Sequence, residues 1–154
     1  MNLSRFAMLL GVLLAGSASA ATPPVSVQQQ IKTLSDDMAR AANAHDTERY
    51  MALFAHDPNL VFAINGRVIH GWDALHAQQL KWWRNGKSDV VYTQSGPTEL
   101  LPLDIDAVVT TQTLSSRRTG PNGKTSTGSF VVTSVWKKLP QGWRIVYGHE
   151  SWAR

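Results

Sequence analysis

The order of elements in this sequence predicts an α+β fold, with helices first and an antiparallel sheet after them. Three observations carry that expectation. Apolar residues recur at helical spacing from Ile31 to Ala42. An Asn65-Gly66 pair sits between two β-branched runs. After Gly86 the chain turns to long stretches rich in Val, Thr, Tyr and Trp, cut by Pro and Gly.

The chain begins with a segment that does not read as part of the fold. Arg5 precedes the apolar run FAMLLGVLLAG, and Ala18-Ser19-Ala20 supplies the small residues a signal peptidase cuts after. The expectation is a secretory signal peptide over 1–20, cleaved after Ala20, and an exit linker over 21–25 stiffened by Pro23-Pro24. The opposing reading is a retained membrane anchor, but the apolar run is well short of the ~20 residues a spanning helix needs. Export makes the protein periplasmic or secreted, with no stable membrane anchor after cleavage. Residues 26–154 are then a single domain large enough for a real core. There is no cysteine in the 154 residues, so burial alone must hold an exported chain together, and 43 % hydrophobic content with six tryptophans supplies it. The formal charge of +4 is mild, and falls by one without Arg5. It suits solubility and excludes the strongly basic footprint of a nucleic-acid binder.

Within the domain, Ser26 with Gln29 three positions on resembles a capping box, which predicts a first helix over 26–44. Its apolar face is Ile31, Leu34, Met38, Ala41 and Ala42; Lys32, Asp36, Arg40 and Asn43 lie opposite. Asp46 or Thr47 caps a short second helix bearing Tyr50, Leu53 and Phe54, and Asp57-Pro58 stops it. Asn65-Gly66 is the favoured pair for a type I′ turn, so 60–64 and 67–70 form a hairpin. The stretch GWDALHAQQLKWWRNG reads as helix three, with Trp72, Leu75, His76, Leu80 and Trp83 on roughly one face and Asn85-Gly86 as its stop. Four long strands follow at 88–101, 105–119, 125–138 and 142–152, separated by Pro102, by Gly120-Pro121-Asn122-Gly123 and by Pro140-Gln141-Gly142.

Three stretches in this order resemble the NTF2-like superfamily, and within it the SnoaL-like or DUF4440-like proteins. They are AANAHDTERYMALFAHDPNLVF, VIHGWDAL and TSVWKKLPQGWRIVYGHES. The resemblance implies a cone: a strongly curved sheet wrapped around three N-terminal helices, with a pocket at the wide end. It does not imply one activity, because this fold hosts isomerases, cyclases, epoxide hydrolases and transport factors, so function must be argued from the pocket.

The closing strand, GWRIVYGHESW, carries the candidate chemistry. Side chains alternate along a strand, so Trp143, Ile145, Tyr147, His149 and Ser151 share one face, and Arg144, Val146, Gly148, Glu150 and Trp152 the other. His149 and Glu150 therefore point apart and do not form a local pair. The first face is bulkier and is expected to be concave, which makes His149 the candidate catalytic residue, as a general base or a hydrogen-bonding contact to a ligand. The alternative is a strand histidine satisfied by its neighbours. His149-Glu150 does not open a zinc HExxH motif, since Ala153 stands where the second histidine is needed.

The ketosteroid isomerases of the superfamily use a tyrosine on helix one and a carboxylate in the first strand. Those positions fall on Met38 and on Phe62 or Ala63, none of which can exchange a proton, so that chemistry is disfavoured. The Asp-Arg-Asp set of the epoxide hydrolases has no match at inward strand positions. His45, His56, His70, His76 and His149 lack metal-ligand spacing, although His70 and His76 could meet near helix three, and no metal or other cofactor is expected. The acidic residues Asp36, Asp37, Asp46, Asp57, Asp73, Asp104 and Asp106 read as helix caps or solvated surface. Arg117, Arg118, Lys124, Lys137 and Lys138 gather near hairpin tips and read as solvated loops, or as contacts to an anionic head group.

What remains is an aromatic pocket. Tyr50, Phe54, Phe62, Trp72, Trp83, Trp143 and Tyr147 are candidate walls, with His76, Gln112, Ser134 and His149 as polar points. Ser134 is included because the matching strand position faces the cavity in the superfamily's kinase-hub domains. The alternative for most of these aromatics is plain core packing. Three functions follow in order of preference. The first is binding of a small apolar or aromatic molecule by an exported domain, at Tyr50, Phe62, Trp72, His76, Trp83, Gln112, Ser134, Tyr147 and His149. The second is a dimeric interaction module, a homodimer built on an exposed sheet face that includes Val135 and Trp152. The third is an isomerase- or hydrolase-type enzyme using His149 with Tyr147 or Ser134.

Overall fold

The computed structural model describes residues 26–120 and 122–153; the expected leader and exit linker lie outside them. Helix α1 (Val27–Ala44) starts where Ser26 Oγ accepts a hydrogen bond from Gln29 N at 3.2 Å. It ends at His45, which takes the left-handed conformation usual for glycine at φ 52°. The short α2 (Thr47–Met51) is capped by Asp46, which accepts from Arg49 N at 3.0 Å. Asp37 of α1 binds the guanidinium groups of both Arg40 and Arg49, which ties the two helices together.

Strands β1 (Val61–Ile64) and β2 (Arg67–His70) form the expected hairpin. Asn65 and Gly66 have φ of 49° and 75°, the two positive values that a type I′ turn needs. Helix α3 (Trp72–Trp82) stops earlier than Asn85-Gly86, because Arg84 and Asn85 have already turned left-handed, at φ 51° and 52°.

The expected strand over 88–101 is two strands. Strand β3 (Val91–Gln94) and strand β4 (Glu99–Asp104) are separated by Ser95-Gly96-Pro97-Thr98, where Gly96 has φ 108°. Both pair with the same neighbour, β5 (Ala107–Thr119), one beyond the other along its length. Strands β6 (Thr125–Leu139) and β7 (Gly142–Trp152) complete a seven-stranded sheet in the order β2-β1-β7-β6-β5-β3. Every pairing is antiparallel except β1 with β7, which is parallel. The sheet curves around the helices, so the α+β cone expected from the sequence is the observed fold. Among the described residues, no helix is long and apolar enough to cross a membrane.

One half of the cone is solid. Val108, Trp136, Trp143 and Ile145 of the sheet pack with Ile31 of α1 and with Met51 and Phe54 around α2. Each buried indole here satisfies its N–H. Trp136 Nε1 donates to Thr110 Oγ1 at 3.0 Å, and Trp143 Nε1 to Gln30 Oε1 at 3.1 Å. Aromatic bulk is thus buried without leaving polar atoms unpaired.

Candidate functional site

The geometry of the other half is decided in β7. Trp143 and Ile145 point into the core. Then the register shifts: Trp136 faces Ile145 and Val135 faces Tyr147, which leaves Val146 without a partner. A bulge adds one residue, and one residue reverses which side chains face inward. Beyond Val146 the inward residues are Gly148, Glu150 and Trp152. Tyr147 and His149 are exposed on the convex face. This corrects the expectation that Tyr147 and His149 share the concave face of Trp143 and Ile145.

The inward half encloses a cavity of about 770 Å³. Met38 and Ala42 of α1 form one side, and Trp82 and Trp83 at the end of α3 another. Phe62 and Ile64 of β1, Tyr92 of β3, Phe130 and Val132 of β6, and Glu150 and Trp152 of β7 form the sheet side. Two glycines make room for the aromatic rings. A Cβ on Gly148 would lie 2.6 Å from the Phe62 ring, and one on Gly128 would lie 2.7 Å from the Trp152 ring. Trp152 lies flat on Phe130, with centroids 4.4 Å apart and planes 19° apart. A wall of this kind suits a flat or apolar ligand, and the volume is in the range of small-molecule sites.

Glu150, Tyr92 and Tyr50 stand among these rings, and Gln94, Gln112, Ser116 and Arg118 add further polar groups to the lining. Glu150 Oε1 accepts from Trp152 Nε1 at 2.5 Å. Burial pushes the Glu150 carboxyl above its ordinary value, and the indole N–H pulls the other way. Tyr92 Oη accepts from Trp83 Nε1 at 3.2 Å, which leaves its own O–H free to donate. Tyr50 packs edge-on to Trp83 at 5.0 Å, and its hydroxyl makes no hydrogen bond to another described residue. Burial raises both phenols, and the Glu150 charge raises them further. Both tyrosines therefore stay protonated at neutral pH. Tyr92 is held in place by Asn43, whose side-chain amide binds both backbone groups of Tyr92: Nδ2 donates to O at 3.0 Å and Oδ1 accepts from N at 2.8 Å. The end of α1 thus acts as an extra strand for β3.

Of the residues expected to bind a ligand, Tyr50, Phe62, Trp83 and Gln112 line the cavity; Trp72, His76, Ser134, Tyr147 and His149 do not. Trp72 and His76 lie on another part of α3. There the Trp72 indole is sandwiched between His56 and His76, at 4.3 and 4.8 Å, and donates to Met51 O at 3.0 Å. His76 meets Glu48 Oε1 at 2.6 Å, and among the described residues no three His, Cys, Asp or Glu side chains converge on a metal position. Ser134 is buried opposite Gly148, while Phe54 and Trp143 belong to the packed core. Met38 and Phe62, at the isomerase positions, line the cavity and offer no proton. The expected Val135–Trp152 surface patch does not form, because Trp152 faces the cavity. The basic residues divide: Arg118 reaches the cavity rim near Asp89 Oδ1, 3.7 Å away, while Lys137 and Lys138 lie at the far end of β6. Sequence reasoning missed Glu150, Trp152, Tyr92, Trp82 and Phe130. Gly148 was the available signal, since a glycine inside a strand marks a close approach.

Residues 31–154 match the SnoaL-like domain. The chain belongs to the SnoaL-like family. Solved structures agree with this SnoaL-like assignment at the level of the fold. An NTF2-like superfamily protein from Salmonella enterica is 23 % identical with a TM-score of 0.71, over 83 % of this chain and 92 % of that one. An NTF2-like protein of unknown function from Shewanella oneidensis is 25 % identical with a TM-score of 0.66, over 80 % and 98 %. The association domain of C. elegans CaMKII is 21 % identical with a TM-score of 0.66, over 80 % and 94 %. Among curated proteins, none matches this SnoaL-like chain.

Proposed function

We propose that this SnoaL-like domain is exported and binds a small apolar or aromatic molecule in its cone cavity. The supporting observation is an open hollow of about 770 Å³ with ring-lined walls, in which Glu150, Tyr50 and Tyr92 stand with other polar groups such as Gln94 and Gln112. The apolar body of the ligand lies between Phe62, Trp82 and Trp152, and its polar end meets the carboxyl and the two phenols. His149 has no part in this reading, because its side chain is on the convex face; among the described residues that line the cavity, the acid is Glu150. Native mass spectrometry of the purified protein tests the proposal. A co-purifying small molecule, lost in Trp82→Ala, is expected; a protein that carries none and binds no aromatic probe contradicts it. Export is checked by fractionating expressing cells and sequencing the mature N-terminus, which is expected to begin at Ala21.

A homodimer is the second reading. Val131 and Tyr147 are each 38 % exposed on the convex sheet face, beside His149 and Thr133. The likeness to an association domain supports self-assembly through such a face. Sedimentation of wild type and Tyr147→Glu checks it: dimers are expected for the first and monomers for the second, and a monomeric wild type contradicts the reading.

A further inference from the structure

We infer that the cavity takes a cationic ligand: a protonated or quaternary amine on an apolar body, its positive head seated against Glu150 among the rings of Tyr50, Trp83, Tyr92, Phe130 and Trp152. The inference rests on the cavity being a ligand site and names the class of ligand. Its starting point is an unbalanced charge. Among the described residues, no lysine, arginine or histidine lies within ion-pair distance of the Glu150 carboxylate. Among the described residues, its one hydrogen bond comes from the neutral Trp152 indole, to one oxygen. A carboxylate enclosed this way is costly unless it is protonated or a cation joins it.

The surroundings favour the same sign of ligand. Aromatic faces are negative at the centre, so where the rings turn their faces to the cavity they add to the carboxylate's attraction for a cation and oppose an anion, while Trp152 meets Glu150 itself through its N–H edge. An ammonium group also satisfies the second carboxylate oxygen with a charge-assisted hydrogen bond, and a quaternary head gains from the rings alone. Of the positive residues of the lining, Lys81 and Arg84 are exposed at the end of α3, where water and salt screen them. Arg118 is half-buried, with an Nε that has no hydrogen-bond partner among the described residues; Asp89 Oδ1, 3.7 Å away, offsets its charge, and it makes no ion pair with Glu150.

The test titrates the purified protein with three probes of similar size, read by tryptophan fluorescence and by calorimetry. The probes are phenyltrimethylammonium, its neutral isostere tert-butylbenzene, and phenylacetate. The cation is expected to bind at least about tenfold more tightly than the isostere. Glu150→Gln, which keeps an acceptor for Trp152, is expected to remove most of that preference and leave the isostere's affinity unchanged. Glu150→Asp keeps the charge and is expected to retain the preference, which separates charge from general damage to the wall. Equal binding of cation and isostere, tighter binding of phenylacetate, or an unaltered preference in Glu150→Gln overturns the inference and leaves the cavity as a site for another ligand class. Failure of all three probes counts against the cavity reading itself, and this inference falls with it.

Discussion

The two halves of the long strands are built from similar residues and do opposite things. In the first half of β7, Trp143 and Ile145 join Trp136, Val108 and Ile31 in one buried core. In the second half, Trp152 and Phe130 stack flat against the wall and leave about 770 Å³ in front of them. Aromatic content does not separate the two. The difference is where the rings rest: the closed end interdigitates them, and the open end seats them on Gly128 and Gly148, out of the way. Between the two lies Val146, the unpaired residue that decides what the open end displays.

Deleting Gly148 is the sharpest way to break this contrast. Strand β7 must then either keep the bulge and turn His149 inward, or lose it and set Tyr147 against the Phe62 ring where Gly148 leaves room. The expected cost is about 4 kcal/mol or more, in the range reserved for disrupted cores, read by chemical denaturation. Deleting Val146 instead removes only the extra residue and leaves every β6–β7 partner in place, so a much smaller loss is expected; equal losses contradict the assignment of the bulge. Next in size are the indoles. Trp136→Ala at the closed end is expected to cost about 3–5 kcal/mol, as other buried tryptophans do. Trp82→Ala at the open end removes a wall with empty space on one side, so about 1 kcal/mol is expected, together with loss of probe binding. Similar losses at both positions would mean that the two ends are equally packed. Gly148→Ala presses a methyl into the Phe62 ring, and about 1–3 kcal/mol is expected.

The smallest effect concerns charge. The raised Glu150 value means that the folded protein holds this proton more tightly than the unfolded chain does. Stability therefore falls as pH rises from the ordinary carboxylate value through the raised one, and the deficit is complete above it. Glu150→Gln is expected to melt at a higher temperature than wild type at neutral pH, with the gain vanishing below the ordinary carboxylate range. Asp37 has the opposite sign. Its hydrogen bond from Arg49 holds it low, so its contribution is present above the ordinary value and fades as pH falls.

These comparisons also show why the sequence was legible in some places and opaque in others. Ser26, Asp46 and Asn65-Gly66 act through local chemistry, and each produced the cap or turn it implies. Ser95-Gly96-Pro97 carried the same kind of signal in the middle of an expected strand, and the chain breaks there. Val146 carries none. Any β-branched residue fits a strand, and the bulge arises from how β6 and β7 meet. Strict alternation counted from Trp143 is correct up to Ile145 and wrong after it, so His149 was assigned to the cavity and Glu150 to the surface. Tyr92 was hidden for a related reason: its place depends on Asn43, far away in sequence. Tyr50, Phe62 and Trp83 line the cavity, whereas Trp72 and His76, expected on the same face of helix three as Trp83, do not.

The central claim is that the side chain of residue 150 points into the cavity and that of residue 149 points away from it. The chain has no cysteine, so a single introduced thiol reports its own surroundings without background. His149→Cys and Glu150→Cys are to be labelled with a bulky maleimide under native conditions, and the two rates compared. Fast labelling at 149, with slow labelling at 150 that slows further when an aromatic probe is added, is the predicted result. Fast labelling at 150 and protection at 149 would contradict the account.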